Sequence, residues 1–214
     1  SESLSKVIES NPEDINALSL LIYAKKSICD WSDIATLEES LIRQSNKQMK
    51  KGASSNIEPF SCIFLKLKAQ AFKKILSSHA AKYAQPIKKI TPIKNNKLPE
   101  SARLKVGYLS AAYRGHATTH LAKSLFDLHD YSRFEIIVYA INKPDINHPS
   151  VNGIINAADD FIDLSLLNDF EAAKRINKDN INLLVDLDCY ANGARPGIME
   201  HRPATVQINY LGFP

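Results

Sequence analysis

The sequence predicts an α/β fold, a Rossmann-like lobe with a parallel sheet, preceded by an all-α helical segment. From residue 103 onward, short apolar runs alternate with segments of helical period, which is typical of parallel strands joined by right-handed crossover helices. Two of these runs, FEIIVYAI and INLLVDL, are almost continuously apolar, as expected of strands buried on both faces. Before residue 86, apolar residues recur only at helical spacing.

The first 30 residues predict two helices joined by a short break. Leu4, Val7 and Ile8 form one apolar face. Asn11 is the predicted N-cap of the second helix, and Pro12 would occupy its first position. Such a junction is typical of the end of a tetratricopeptide repeat, and equally of a plain helical hairpin, because one junction is not an array.

Residues 31–85 predict two further helices. The first runs over about residues 33–50, is capped by Asp30 or Ser32, ends at Gly52, and has Trp31 as a core anchor at its start. The second is an amphipathic helix over residues 60–83, with too few basic residues for a membrane-surface helix. Residues 86–102, rich in Pro, Lys and Asn, predict a linker, so that the α/β lobe spans residues 103–214.

Within this lobe, Thr118 or Thr119 is the predicted cap of the helix after the first strand. Ligands of open α/β sheets bind outside the carboxyl ends of the strands, so polar residues there are candidates for a site. The predicted strands are residues 104–109, 134–141, 161–164, 181–187 and 205–210, and the predicted helices are residues 118–128, 150–158, 169–177 and 198–200.

Composition narrows the class of protein. With 44% hydrophobic and 23% charged residues the chain resembles an ordinary soluble globular protein. Its net charge of +4 is modest and its lysines gather near the linker, which disfavours nucleic acid as a partner. No apolar run is long enough to span a membrane, and residues 1–6 lack the basic and apolar regions of a signal peptide. Its first residue is not Met, which predicts a piece of a longer protein.

Cysteine usage predicts a reducing, cytoplasmic compartment. The three cysteines, Cys29, Cys62 and Cys189, lie far apart in the sequence without C-x-x-C spacing. This pattern argues against both a structural zinc site and a disulfide framework.

The turn after the first strand carries two histidines, His116 and His120. An exposed imidazole at a helix N-terminus can exchange a proton with a bound hydroxyl, which is the role predicted for His116. His120 is either functional or a buried helix residue bonded to a carbonyl. Their i, i+4 spacing would suit a metal, but no nearby acidic or cysteine ligand completes a shell, so no metal is expected. The remaining loop histidines, His129, His148 and His201, are predicted to be surface residues.

A second polar group, Asp186, Asp188, Tyr190 and Asn192, follows the fourth strand. The aspartates could act as a general base or bind substrate hydroxyls, and they are equally ordinary turn residues. Gly212 and Pro214 belong to a loop after the last strand that would form a substrate wall or merely a turn. No G-x-G-x-x-G follows the first strand, which disfavours a nicotinamide or flavin enzyme.

Three elements carry a resemblance to a known family: GHATTHL, the DLDCYANGAR loop with RPATVQ downstream, and the terminal LGFP. They resemble the first catalytic lobe of the O-linked N-acetylglucosamine transferase family. Residues 29–39 and the predicted helix 60–83 are similar to that family's connector between tetratricopeptide repeats and catalytic lobe. The resemblance implies a GT-B enzyme that moves N-acetylglucosamine from UDP-N-acetylglucosamine to Ser or Thr of proteins with inversion, without a metal or other cofactor.

The resemblance also implies roles for particular residues. His116 resembles the histidine proposed as catalytic base, with His120 as the second histidine of the element. The residues Asp186, Asp188, Tyr190, Asn192, Gly212 and Pro214 would contact substrate, and the N-terminal helices would dock acceptor proteins. The chain departs from the family before His116, where Ala112-Tyr113-Arg114-Gly115 replaces Asp-Phe-Gly-Asn, and again at residues 186–189, where Asn-x-Asn-Gly is usual.

In GT-B enzymes a second lobe binds most of the nucleotide, and the resemblance ends at Pro214 before such a lobe begins. These residues alone are therefore expected to bind a UDP sugar weakly and to be inactive. The alternative is a helical-repeat module that binds proteins through its helices and has an inactive α/β lobe. Whether the chain forms a homodimer is left open.

Overall fold

In the computed structural model, which describes residues 2–87, 93 and 103–212, the chain divides into a helical unit (residues 1–86) and an α/β unit (residues 87–214). The predicted fold class is confirmed, whereas the finer domain bounds 1–30, 31–85, 86–102 and 103–214 stay a prediction. Apolar residues from four helices and two loops, including Leu18, Ile22, Leu41 and Ile57, fill the core of the helical unit. Its helices are α1 (Glu2–Ser10), α2 (Ile15–Ser27), α3 (Ile34–Lys50), α4 (Pro59–Cys62) and α5 (Ala69–Ile87).

The helix starts in this unit differ from the prediction. Asp14, not Asn11, caps α2, because its carboxylate accepts the Ala17 N–H at 3.0 Å. Helix α3 begins after Asp33, which has a left-handed backbone and makes no capping side-chain bond. The predicted N-caps of this helix, Asp30 and Ser32, are therefore wrong. Trp31 is 63% exposed and not a core anchor. Its turn is held by polar bonds among its neighbours, and Ile34 supplies the apolar contact instead.

The single helix predicted for residues 60–83 is two helices, α4 and α5. Residues 63–68 between them leave the helical ladder because other partners bond their backbone: Lys26 donates to the Phe64 carbonyl, and Glu38 accepts the Lys66 N–H. Lys26 and Glu38 also form an ion pair of 2.5 Å. Helix α5 continues to Ile87, so the predicted linker 86–102 is helical at its start, and apart from Ile93 the rest lies outside the described residues.

Five parallel strands form the sheet of the α/β unit, in the order β3-β2-β1-β4-β5. Chain order alternates strand and helix as predicted. The strands are β1 (Leu104–Ser110), β2 (Phe134–Ala140), β3 (Asp160–Asp163), β4 (Leu183–Asp186) and β5 (Val206–Asn209), and the helices are α6 (Ala117–Asp127), α7 (Pro149–Ala157), α8 (Asp169–Lys178) and α9 (Pro196–Glu200).

Each face of the sheet has its own buried core. Phe126 of α6 and Val151 of α7 are fully buried on one face, and Ile176 of α8 and Ile198 of α9 on the other. The connection after β1 runs to β2 on one side, while that after β4 runs to β5 on the other side. This reversal makes the carboxyl ends of β1 and β4 the topological switch point, where open α/β sheets hold their ligands.

Candidate functional site

The ends of β1 and β4 are joined by the carboxylate of Asp188. Its Oδ1 accepts the Ser110 hydroxyl at 2.9 Å, and its Oδ2 accepts the Ala111 N–H. The Ser110 hydroxyl in turn accepts the Ala112 N–H at 2.9 Å. Asp188 is only 3% exposed, and burial raises its pKa. Asp188 therefore holds the two strand ends together at the switch point.

Asp186 organises the turn that follows β4. Its carboxylate accepts the N–H groups of Asp188 at 2.9 Å and Cys189 at 3.0 Å, and burial raises its pKa. Tyr190 is half-buried and Asn192 is exposed on the same loop. Of this polar group, the side chains of Tyr190 and Asn192 are thus the ones that reach solvent.

Arg195, at the end of this loop, ties three segments together. Its Nε lies 2.8 Å from a carboxylate oxygen of Asp169, and another nitrogen donates to the Leu167 carbonyl at 2.7 Å. A third nitrogen donates to the Ile141 carbonyl at 3.3 Å, just after β2. These bonds fix the loop after β4 against neighbouring strand ends, a structural role that its position among turn residues did not reveal.

His116 is the N-cap of α6, so the predicted caps Thr118 and Thr119 are wrong. The Nδ1 of His116 accepts the Thr118 N–H at 3.2 Å, while Thr119 is buried and donates its hydroxyl to the Ala112 carbonyl. Because Nδ1 accepts, the neutral imidazole carries its proton on Nε2. The His116 ring is exposed and close enough to Asp188 for the two to interact electrostatically. His116 therefore offers an N–H at the mouth of the switch point.

His120 is exposed and bonded to a side chain, so it is not the buried, carbonyl-bonded residue considered above. Its Nδ1 lies 3.2 Å from the Ser150 hydroxyl, and its ring centroid lies 5.5 Å from that of His148. His148 is half-buried, not a surface residue, and is the N-cap of α7, where its Nδ1 accepts the Ser150 N–H at 3.3 Å. The following Pro149, at a favoured first helical position, was the sequence signal for this cap.

Two further histidines are wrongly predicted as surface residues. His129 is half-buried, with Nε2 2.9 Å from the Tyr108 hydroxyl. His201 is 7% exposed, and its ring centroid lies 5.1 Å from that of Phe170. Burial lowers the pKa of both imidazoles, because the charged form loses its hydration. Both residues serve packing.

The lowered pKa of His201 predicts a stability change with pH. Below its ordinary pKa of 6.5 the unfolded chain binds a proton that the folded chain resists, so stability is lost as pH falls through this range. We expect His201→Phe, which keeps an aromatic ring against Phe170, to make the free energy of unfolding less dependent on pH as the pH falls below 6.5. Urea unfolding at several pH values measures this, and an unchanged pH dependence would contradict the lowered pKa.

The end of β5 packs against the Asp188 turn. The Tyr210 N–H donates to the Asp186 carbonyl at 2.9 Å. A Cβ added to Gly212 would collide with the backbone carbonyl group of Asp188, which leaves room only for glycine. Gly212 thus contributes close backbone packing, while Pro214 lies outside the described residues and its predicted role as a substrate wall stays a prediction.

We expect Gly212→Ala to lower the free energy of unfolding by about 1–3 kcal/mol, because the new methyl group collides with backbone that cannot turn aside. Gly153→Ala is the matched control: nothing lies within 4 Å of its added Cβ, and alanine in place of a helical glycine stabilises by about 0.5–1 kcal/mol. Chemical denaturation of both variants gives the comparison. Equal stability of Gly212→Ala and the parent sequence would contradict the close packing.

The described parts of the chain, residues 2–87, 93 and 103–212, contain no group of three or more His, Cys, Asp or Glu side chains placed to hold a metal ion. Among the helices of these same residues, none is both long and apolar enough to cross a membrane.

Curated relatives cover nearly the whole chain. The chain is 31% identical to a UDP-N-acetylglucosamine--peptide N-acetylglucosaminyltransferase of Caenorhabditis elegans over 196 residues, which is 87% of this chain and 17% of the relative. It is 28% identical to the probable UDP-N-acetylglucosamine--peptide N-acetylglucosaminyltransferase SEC of Arabidopsis thaliana, over 91% of this chain and 21% of the relative. The chain thus spans only about a fifth of the length of these relatives.

A solved structure shares the fold. An O-GlcNAc transferase mutant of Thermobaculum terrenum matches with a TM-score of 0.62 and 21% identity, over 98% of this chain and 46% of that one. The family model described as glycosyl transferase family 41 matches residues 28–214, which include the switch point and every described site residue. The chain therefore belongs to glycosyl transferase family 41.

Proposed function

We propose that this chain is part of a cytoplasmic GT-B protein O-glycosyltransferase that moves N-acetylglucosamine from UDP-N-acetylglucosamine to Ser or Thr hydroxyls with inversion. The observation that carries the proposal is an exposed imidazole, His116, at the switch point of a family 41 chain. The printed names of the relatives support the donor sugar and the peptide acceptor.

In this proposal His116 meets the acceptor hydroxyl. While its Nδ1 accepts the Thr118 N–H, its Nε2–H can donate to a substrate oxygen. To act as a general base, the imidazole must take up the hydroxyl proton on a free lone pair. The lone pair of Nδ1 becomes free only when Nδ1 releases the Thr118 N–H. His120 lies one helical turn further along α6 and faces Ser150, so we assign it a supporting position beside the acceptor.

The second polar group would shape the substrate pocket. Tyr190 and Asn192 would contact substrate directly, because their side chains reach solvent. Asp186 and Asp188 would act mainly through the backbone they hold, because protein N–H and O–H groups already occupy their carboxylates. The donor nucleotide would bind mainly to a second lobe of the longer protein. The helical unit would dock acceptor proteins as the end of a tetratricopeptide repeat.

The test is sugar transfer by the full-length parent protein, with radiolabelled UDP-N-acetylglucosamine and Ser/Thr-containing acceptor peptides, compared with residues 1–214 alone. We expect transfer by the parent, without added metal, and none by the fragment. Isothermal titration should show weak UDP binding to the fragment. A parent protein that binds acceptor proteins but transfers no sugar would support the binding module with an inactive lobe instead.

A further inference from the structure

We propose that His148 is a positioning residue for His116: its ring packs against the turn before His116 and sets where that imidazole lies. The inference rests on the proposed function of His116. His148 lies on the connection between β2 and α7, about 30 positions further along the chain, and the fold brings it back to the start of α6.

The first contact is with Gly115, the residue directly before His116. A Cβ added to Gly115 would lie 3.2 Å from Nε2 and 3.3 Å from Cδ2 of His148. The imidazole therefore lies directly over the Gly115 backbone. The His116 N–H donates to the Arg114 carbonyl at 2.7 Å, so the backbone beneath the ring is a tight turn. Any movement of this turn moves the N-cap and the His116 ring with it.

The second contact is with α6 itself. The His148 and His120 rings meet edge to face, with an interplanar angle of 73°. Ser150 adds a polar link, because its hydroxyl lies 3.2 Å from His120 Nδ1 while its N–H donates to His148 Nδ1. The starts of α6 and α7 are thus joined by two imidazoles and one hydroxyl. The joined region contains both histidines that sequence motifs place in the site.

Capping α7 does not by itself explain a histidine at this position. Asn, Asp and Ser are the strongest N-caps and would satisfy the Ser150 N–H. The His148 ring lies over Gly115 and meets the His120 ring, a reach that the shorter side chains of Asn, Asp and Ser do not have. The two roles can be separated by substitution: His148→Asn keeps a capping side chain and removes the ring, while His148→Phe keeps a ring and removes the cap.

The experiment measures kcat, KM for UDP-N-acetylglucosamine and thermal unfolding of these variants in the full-length parent. We expect His148→Asn to lower kcat about 10-fold or more with KM unchanged, since a small misplacement of a reacting group is costly. Its unfolding temperature should be unchanged. His148→Phe should lower the unfolding temperature and keep most of kcat. Asn152→Ala, at an exposed position of α7, is the control that should change neither.

A double substitution tests the contact itself. Gly115→Ala alone should lower kcat, because its methyl group pushes against the His148 ring, and it should cost less when His148 is already Asn. Full kcat in His148→Asn, or a kcat that follows the unfolding temperature across all variants, would overturn the positioning role.

If the unmodified parent transfers no sugar, the proposed function is contradicted. The positioning role can then be tested separately, by the NMR resonances of the His116 ring. In the parent labelled with ¹³C at its histidine rings, His148→Asn should shift the His116 ring resonances, and Asn152→Ala should not. Unshifted His116 resonances in His148→Asn would overturn the inference whatever the activity.

Discussion

Replacing His116 by Asn in the full-length parent is expected to lower kcat for sugar transfer about 100- to 10,000-fold, the range that a positioned acid or base contributes. Asn is a strong N-cap, so its side chain can still accept the Thr118 N–H and keep the start of α6. It cannot take up or release a proton near neutral pH. The loss should therefore appear in kcat, with KM for the donor and the unfolding temperature nearly unchanged.

His116→Ala is the companion variant, because it removes the imidazole and the cap together. It should lose the same kcat as His116→Asn and also destabilise the protein by about 1 kcal/mol, the usual cost of an N-cap. Transfer rates measured with saturating acceptor peptide give the loss of kcat, and the unfolding temperature gives the loss of stability. Full activity in His116→Asn would show that His116 matters as a cap alone, and the acceptor hydroxyl would then need another proton acceptor.

The strands and the location of the site could be predicted from the sequence because both depend on local pattern. A run such as FEIIVYAI, which is almost continuously apolar, predicts a parallel strand buried on both faces. Polar turn residues at the carboxyl end of such a strand are the expected location of a site. The same pattern predicts His116 and Asp188 as candidate site residues. The pattern leaves open which polar atoms remain free, since this depends on partners from other strands. The Asp188 carboxylate, for example, accepts hydrogen bonds from Ser110 and Ala111, which lie 78 and 77 residues away in the chain.

The predictions that failed involve the same kind of long-range partner. The helix over residues 60–83 breaks where Lys26 and Glu38 offer its backbone other hydrogen bonds, and helical periodicity in one segment cannot reveal them. The sequence predicts a surface position for His148, because it lies in a loop beside Pro149. It packs instead on Gly115 and His120, which only the crossover between β1 and β2 brings near.

Replacing Asp188 by Ala is expected to lower the free energy of unfolding of the α/β unit by about 2–5 kcal/mol. The substitution leaves the Ser110 hydroxyl and the Ala111 N–H buried without their acceptor, and each unpaired buried group costs about 1–3 kcal/mol. The ends of β1 and β4 would separate at the point that carries His116. Sugar transfer should therefore fall with stability, although Asp188 itself need not contact substrate.

Asp188→Asn separates shape from charge. Its amide oxygen can still accept the Ala111 N–H, and its amide nitrogen can face the Ser110 hydroxyl, so the loss should be about 1 kcal/mol. Burial raises the pKa of Asp188, so ionisation opposes folding and stability falls as pH rises from 3.8 through the raised value. The Asn variant should lack that part of the pH dependence in urea unfolding. If Asp188→Ala were as stable as Asp188→Asn, the hydrogen bonds to Ser110 and Ala111 could not be what holds the two strand ends together.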